Sequence, residues 1–399
     1  MESTYLPNNV GVNQRELYTL LLVLPYKLLF IILRGRKMKK VFLASIFSLT
    51  LIGLTACGGG EEADSENGSA SEGEDTASEN GNDSNGEASY TIEAGIGLNN
   101  EHPQYEGLLE FKDIVEEETD GDIHVETYHS GQLGDDREMM EALQLNTQEV
   151  TIPSTAPMAN FVEEFTVFDF PFLFPNEQVA DKVLDGEIGD RLLDKLEEEE
   201  MVGLAYWENG FRDLTNSQHP VETAEDFNGL TLRTMENDLH LDAFEELGAN
   251  PTPMAFGELF TAMQQGTVDG QENPLATIYL EGFYEVQDYY SDTHHVYSPF
   301  VFLMSKQFYD SLPDEYQTIV KDAAVEAGEF QREQNRKANE ELLGSLEEEG
   351  MEITEVSDEA RSEMADIVQP VIDQYAEDIG TDFVDEVYEA VEEAEESVE

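Results

Sequence analysis

Positive charge is what this chain has least of. Its 399 residues carry 20 Lys+Arg against 88 Asp+Glu, a formal net charge of −68 at pH 7. A folded protein that negative repels phosphate, which excludes nucleic acid as a partner. Cysteine is scarcer still. Cys57 is the only one, so no intramolecular disulfide can form and an oxidising compartment is no obstacle. No G-x-S-x-G elbow, H-E-x-x-H helix or Walker loop occurs, which removes the readable signatures of serine hydrolases, zinc proteases and nucleotide-driven enzymes. His294 and His295 are adjacent, and neighbouring side chains on a strand point to opposite faces, which suits chelation poorly. No catalytic residue, metal or cofactor is expected. What the chain does have is apolar matter: 40% hydrophobic residues, with 21 Phe and 16 Tyr. That excludes a wholly disordered chain, and the length suits two ordinary domains.

Acidic excess with scarce lysine looks like adaptation to a salty exterior. It does not bar an anionic ligand. The Debye length is about 8 Å at physiological ionic strength and about 3 Å at 1 M, so distant surface charge is largely silent and local donors decide.

The first half of the N-terminal region is a set of export signals. Met38 to Cys57 reads MKKVFLASIFSLTLIGLTAC: basic Lys39 and Lys40, an apolar stretch Val41 to Leu54, then small residues. Leu54-Thr55-Ala56-Cys57 resembles the lipobox of bacterial lipoproteins, whose cysteine is lipidated and becomes the mature N-terminus. The alternative is an uncleaved anchor, and the chain is exported in both cases. Residues 38–56 are thus a lipoprotein signal peptide and Cys57 the lipidation site. Upstream, Tyr18 to Leu33 is apolar but interrupted by Pro25 and Lys27. It is either a weak extra hydrophobic segment or untranslated sequence, with Met38 the true start; the completeness of the signal from Met38 favours the second, making residues 1–37 an extension. From Gly58 to Ser89 the chain is nearly all Gly, Ser, Asn, Asp, Glu and Ala without an aromatic. Such a stretch cannot bury enough apolar surface to offset ordering entropy, so residues 57–89 form a flexible acidic tether.

The periodic part begins at Tyr90. Strand-like Tyr90 to Leu98 is followed by a helix over Pro103 to Thr119, with Leu108, Phe111 and Val115 on one face. A strand at Asp122 to Tyr128, a helix at Asp135 to Leu145 and a strand at Val150 to Ile152 complete one α/β unit with a largely parallel sheet. The same alternation repeats: strands at Leu204 to Trp207 and Leu230 to Thr234, helices at Leu239 to Leu247 and Phe256 to Gln265, Gly270 to Asn273 at a strand end, then a strand from Val296 to Met304. Pro313 to Glu349 reads as one helix, which at ~1.5 Å per residue spans roughly 54 Å and can cross both units. A strand at Met351 to Val356 and two acidic helices finish the chain. Two α/β lobes crossed more than once imply a hinged clamp with its ligand between them. Lobe I is expected at 90–210 plus about 299–338, and lobe II at 211–298 plus about 339–399.

Thirteen of the 20 basic residues follow Cys57, and most sit on helices among acidic neighbours, where pairs contribute only a few tenths of a kcal/mol. Arg212, in WENGFRDLTN, and Arg233, in GLTLRTMEN, differ: each lies at or beside a strand end among apolar or aromatic residues. A buried guanidinium cannot shed its proton and must be paired. One explanation is a structural ion pair, for example with Glu208 or Glu236. The other is a planar fork held for a substrate carboxylate, which takes two parallel hydrogen bonds.

Four segments carry a resemblance over Tyr90 to the C-terminus: GQLGDDREMMEALQLNTQEV (Gly131 to Val150), VFDFPFLF (Val167 to Phe174), GLTLRTMEN (Gly229 to Asn237) and VDGQENPLATI (Val268 to Ile278). In order and spacing they resemble the solute-binding proteins of TRAP transporters, the family related to dicarboxylate-binding proteins. The resemblance implies two α/β lobes joined by hinge strands and a long helix, closing over a small organic acid. It implies that Arg233 grips the ligand carboxylate, that Asn273 adds a hydrogen bond, and that Arg212 assists. As a neutral amide, Asn273 can complete a carboxylate's hydrogen bonding without adding charge, though it is also a turn residue before Pro274. His102, Ser154, Met158, Phe170, Phe172 and Trp207 are candidates for the specificity wall. Phe170 and Phe172 fit core packing equally well, and His102 fits a helix cap. The implied role is capture outside the cell and delivery to a membrane permease driven by an ion gradient, with presentation to a membrane sensor kinase as the alternative.

Overall fold

The computed structural model describes residues 88–398. The signal segment, Cys57 and all but the end of the tether lie outside the described residues. Strand β1 (Tyr90–Gly95) leads through α1 (Pro103–Glu118), β2 (Ile123–Tyr128) and α2 (Asp136–Gln144) to the short β3 (Val150–Thr151). Helices α3 (Thr155–Met158), α4 (Glu177–Leu184) and α5 (Glu187–Lys195) precede β4 (Met201–Asn216). The second lobe follows as β5 (Thr231–Thr234), α6 (Asp238–Glu246), β6 (Asn250–Pro253), α7 (Phe256–Gln265), β7 (Gly270–Pro274) and α8 (Leu275–Leu280). The chain returns along β8 (Tyr289–Ser305) and ends with α9 (Lys306–Ser311), α10 (Asp314–Glu349), β9 (Glu352–Thr354), α11 (Asp358–Ile379) and α12 (Thr381–Val398).

Local chemistry accounts for the helix starts. Pro103 occupies the first turn of α1, where its missing N–H costs nothing, and His102 Nδ1 accepts from the Gln104 N–H at 3.1 Å. Asp135 and Glu138 form a reciprocal capping box on α2. Leu108, Phe111 and Val115 are buried on one face of α1.

The nine strands form one sheet in the order β2-β1-β3-β8-β4-β7-β5-β6, with β9 beside β8. The first unit has the parallel pairing expected of it, and the sheet as a whole is mixed. β1 is parallel to β2 and β3, and β5 is parallel to β6 and β7, but β4 and β8 run antiparallel through the middle. The reason is connectivity: one strand carries the chain from the first lobe to the second and another brings it back. These two long strands pair from Met201↔Ser305 to Asn216↔Tyr289 with three register shifts. They are buried along nearly their whole length, so they lack the two-residue alternation that reveals a half-exposed strand.

Helix α10 is 36 residues long, which at ~1.5 Å per residue is roughly 54 Å. Its first half buries Val320, Ala323, Ala324 and Ala327 in a core shared with β1, α1 and Trp207. Near its end Leu346 enters a separate core with Leu259, Met263 and Ile278. Between these cores Gln331 bonds the Glu208 backbone at both N–H and C=O, and Asn335 Nδ2 donates to Glu208 Oε1 and the Asn209 carbonyl. The clamp is thus α/β, with two hinge strands and one long helix spanning both cores.

Trp207 belongs to the first of those cores. Its Nε1 donates to the Ala324 carbonyl at 2.9 Å, and its side chain is 0% exposed. A Cβ added at Gly107 or Gly328 would meet Trp207 ring atoms at 2.7 Å, so two helical glycines let α1 and α10 close over the ring. The expectation that Trp207 faces the cleft is therefore corrected: the indole is a core residue of the hinge. Among the described residues no helix is long and apolar enough to cross a membrane, and no three His, Cys, Asp or Glu side chains group to hold a metal ion.

Candidate functional site

A cavity of roughly 630 Å³, counting its open mouth, lies past the C-terminal ends of β1, β3, β5, β6 and β7. Open α/β sheets bind ligands at such strand ends. One wall carries Gln104 from α1, Asp135, Asp136 and Arg137 from the start of α2, Ser154 after β3, and Asn209 from β4. The facing wall carries Arg233, Met235, Met254, Phe256 and Asn273.

Arg233 stands out by what it does not touch. It is 2% exposed, and its one hydrogen bond among the described residues runs from Nε to the Met254 carbonyl at 2.9 Å. Nη1 is buried without any partner. Burial lowers its pKa to about 10; Glu272 opposes that lowering, while the Arg212 guanidinium adds to it. The group stays charged at neutral pH, so a desolvated cation faces the cavity with its fork open.

Arg212 is the contrast. Its Nε and Nη2 bond both Glu272 carboxylate oxygens, and Nη2 also donates to the Glu272 carbonyl at 2.6 Å. His295 Nε2 lies 3.2 Å from the same carboxylate. Burial pushes Glu272 up, but Arg212 and then His295 overcome it and hold the carboxyl well below the usual range. Arg212 is fully buried and not on the cavity lining. The structural alternative therefore describes Arg212, with Glu272 as partner and not Glu208 or Glu236. Its positive charge still reaches Arg233 through space, but its Nε–Nη2 edge is taken by Glu272, and only Nη1, buried and off the cavity lining, is left without a partner.

Asn273 reaches the lining from β7, where its Nδ2 donates to Gln271 Oε1, and Gln271 Nε2 donates to Thr215 Oγ1 at 2.9 Å. That chain fixes the amide and leaves one N–H of Nδ2 for a ligand. Ser154 is also on the lining; its N–H donates to Asp136 Oδ2 at 3.3 Å.

The remaining sequence candidates lie behind the lining. His102 is the cap of α1, with Nε2 3.2 Å from Thr277 Oγ1, and burial lowers it to about 3, so the imidazole is neutral. Met158 and Phe170 are packed in the large core with Phe165 and Phe168. Phe172 packs against that core with φ of 60°, a costly conformation for an aromatic residue, held by its N–H to the His295 carbonyl at 2.8 Å. The cavity thus gathers Arg233, Asn273 and Ser154 and leaves Arg212, Trp207, His102, Met158, Phe170 and Phe172 off its surface.

Sequence reasoning missed Gln104, Asn209 and Asp136. Asn209 had a signal: Gly210 follows it inside a strand-like run, at a register shift with φ of 116°. Such bulges redirect a neighbouring side chain. Gln104 had none, since only packing shows that it is 1% exposed. Asp136 is half-buried on the lining, and desolvation there pushes its carboxyl up to about 6; the Ser154 N–H opposes this and Asp135 adds to it.

The model of bacterial extracellular solute-binding protein family 7 (DctP) matches residues 94–378. The chain belongs to this family. The match covers both hinge strands and every cavity residue named above. Among solved structures, this family 7 protein is similar to the sugar acid binding protein DctPAm from Advenella mimigardefordensis strain DPN7T in complex with galactonate. That match has 43% identity and a TM-score of 0.75 and covers 76% of this chain and 98% of the other. A TRAP periplasmic solute-binding protein from Sulfurospirillum deleyianum with bound succinate matches at 32% identity and TM-score 0.72, over 75% and 99%. The 2,3-diketo-L-gulonate-binding periplasmic protein YiaO of Escherichia coli (strain K12) is 33% identical over 306 residues, 75% of this chain and 93% of its own length. These relatives bind acids of quite different shape.

Proposed function

We propose that this protein is the extracytoplasmic solute-binding subunit of a TRAP-type transporter, capturing a carboxylate-bearing organic acid between its lobes. The observation that carries the reading is Arg233, a buried cation in the cavity with Nη1 unpartnered and no carboxylate of the described residues bonded to it. Such an arrangement costs the free protein stability and is relieved by an anion that fills the fork. A ligand carboxylate can take two parallel bonds from Arg233 and a third from the free N–H of Asn273. Charge-assisted bonds contribute roughly 1.5–3 kcal/mol each, so this clamp supplies much of micromolar affinity. The two hinge strands and α10 allow the lobes to close on the bound acid.

The reading extends to the cell. Cys57 carries the lipid that holds the protein at the outer face of the cell membrane, the tether gives it reach, and the closed form docks on the membrane permease. No chemical step is assigned to the protein.

Isothermal titration of the purified chain with a panel of organic acids tests the binding role. Saturable binding is expected, and Arg233→Ala is expected to lose roughly 2–5 kcal/mol of affinity with the fold intact, the scale of removing one partner of a buried charged pair. Full affinity in that variant would refute the assignment. Mass spectrometry of the membrane fraction tests the anchor: a diacylglyceryl adduct at Cys57, lost in Cys57→Ser, is expected.

A further inference from the structure

We infer that the captured acid is a hydroxyl-rich monocarboxylate, of the aldonate class, whose hydroxyls are read by Gln104 and Asn209, and that dicarboxylates are disfavoured. The inference rests on the reading that Arg233 takes one carboxylate.

The argument is a matching of donors and acceptors. Gln104 is 1% exposed and its Nε2 donates to the Ile152 carbonyl at 2.8 Å. A carbonyl can only accept, so the amide orientation is determined: Oε1 is the free atom, and it has no partner. Asn209 is 3% exposed; its Nδ2 donates to Ser154 Oγ at 3.2 Å, and its Oδ1 is likewise without a partner. Both residues line the same cavity as Arg233. A buried oxygen with no protein donor is a standing penalty, removed when an O–H or N–H reaches it, and a hydroxyl-bearing ligand brings one.

A second carboxylate brings none, because an ionised carboxylate only accepts. It would also meet Asp136 and Asp135 on the same wall. The other cation on the lining, Arg137, is half-exposed and bonded to Glu141 at 3.2 Å. So the cavity holds one open buried fork for one carboxylate, together with a set of acceptors. Hydroxyls satisfy that set. Each hydroxyl can donate to Gln104 or Asn209, and one of them can accept from the Ser154 hydroxyl. Apolar Met235, Met254 and Phe300 on the lining suit the carbon backbone.

The test compares D-gluconate, D-galactonate and D-erythronate with succinate and L-malate by isothermal titration. At least one aldonate is expected to bind at least tenfold more tightly than either dicarboxylate. Gln104→Met and Asn209→Leu are each expected to weaken the best aldonate tenfold or more, while its deoxy analogue, lacking one hydroxyl, loses less in the variant that removes the reader of that hydroxyl. A merely structural role would weaken both ligands alike. Asp136→Asn is expected to narrow the gap by improving succinate. Succinate or malate binding as tightly as every aldonate would overturn this inference and leave the carboxylate role of Arg233 standing. Binding of no acid in the panel, with Arg233→Ala indistinguishable from the parent in thermal shift against all of them, would overturn both.

Discussion

Replacing Arg233 with methionine should make the ligand-free protein more stable and weaken acid binding by roughly 2–5 kcal/mol. The side chain is buried, and desolvation lowers its pKa to about 10 in spite of Glu272. At about 1.4 kcal/mol per pH unit of displacement, the folded state gives up about 3 kcal/mol to keep this charge. Methionine has a similar length and no charge. It leaves the Met254 carbonyl without the Nε donor, 2.9 Å away, a loss of about 1 kcal/mol. The net gain is about 2 kcal/mol. With an unfolding entropy of about 2.1 cal/mol/K per residue over about 300 folded residues, that raises Tm by about 3 °C. Differential scanning calorimetry of both proteins without ligand, followed by titration with the best acid of the panel, reads both effects. A structural arginine behaves in the opposite way. If Arg233→Met melts several degrees lower than the parent, the guanidinium is held by the protein for its own stability and the reasoning fails.

Arg212→Met should do what Arg233→Met does not. It strands Glu272 in the core, which costs about 3–5 kcal/mol, read as a lower denaturation midpoint at pH 7. Glu272 is held below its ordinary range in the parent, so the pair's stabilisation is present above the unfolded carboxyl pKa and is lost as pH falls through the folded one. In Arg212→Met the stranded carboxyl can protonate, and the deficit relative to the parent should shrink between pH 7 and pH 4; a pH-independent deficit would contradict the assignment. Asp136, raised to about 6 by burial, is neutral below that pH and an anion above it, on the same cavity as Arg233, Asp135 and Arg137. Affinity for an anionic solute should therefore fall about three- to tenfold from pH 5 to pH 7.5, a Coulomb effect of intermediate dielectric, and Asp136→Asn should flatten the profile. Gly328→Ala places a Cβ 2.7 Å from the Trp207 ring. Overpacking there should cost about 1–3 kcal/mol, offset by up to about 1 kcal/mol of helix propensity. Urea denaturation and a shifted Trp207 emission measure it.

Much of this molecule was legible before any coordinates. The helices at Pro103, Asp136, Asp238 and Phe256 announce themselves through buried spacing and starting residues, and α10 through its length without proline. Strand β6 and the small helices between Thr155 and Lys195 did not: β6 is four residues with two prolines and no buried position, and α4 and α5 run only eight and nine residues, too short for a period to stand out. The two long strands suffered most: Leu204 to Trp207 was the visible fragment of a strand that runs from Met201 to Asn216. Arg233 stood out as a charged residue at an apolar strand end and Asn273 through the family resemblance, and both reach the cavity. His102, Met158, Phe170, Phe172 and Trp207 were equally plausible by composition and are packed behind it.

By itself the amino-acid sequence determined the class of the protein: alternating strand and helix, four family segments in order and spacing, and a chain so acidic that each retained strand-end arginine needs an explanation. It could not say which of two arginines is already occupied. That depends on whether a carboxylate from a distant segment comes within bonding reach, and Glu272 lies 60 residues from Arg212 along the chain. Only folding brings β4 and β7 side by side, filling one guanidinium with Glu272 and leaving the other open to the cleft.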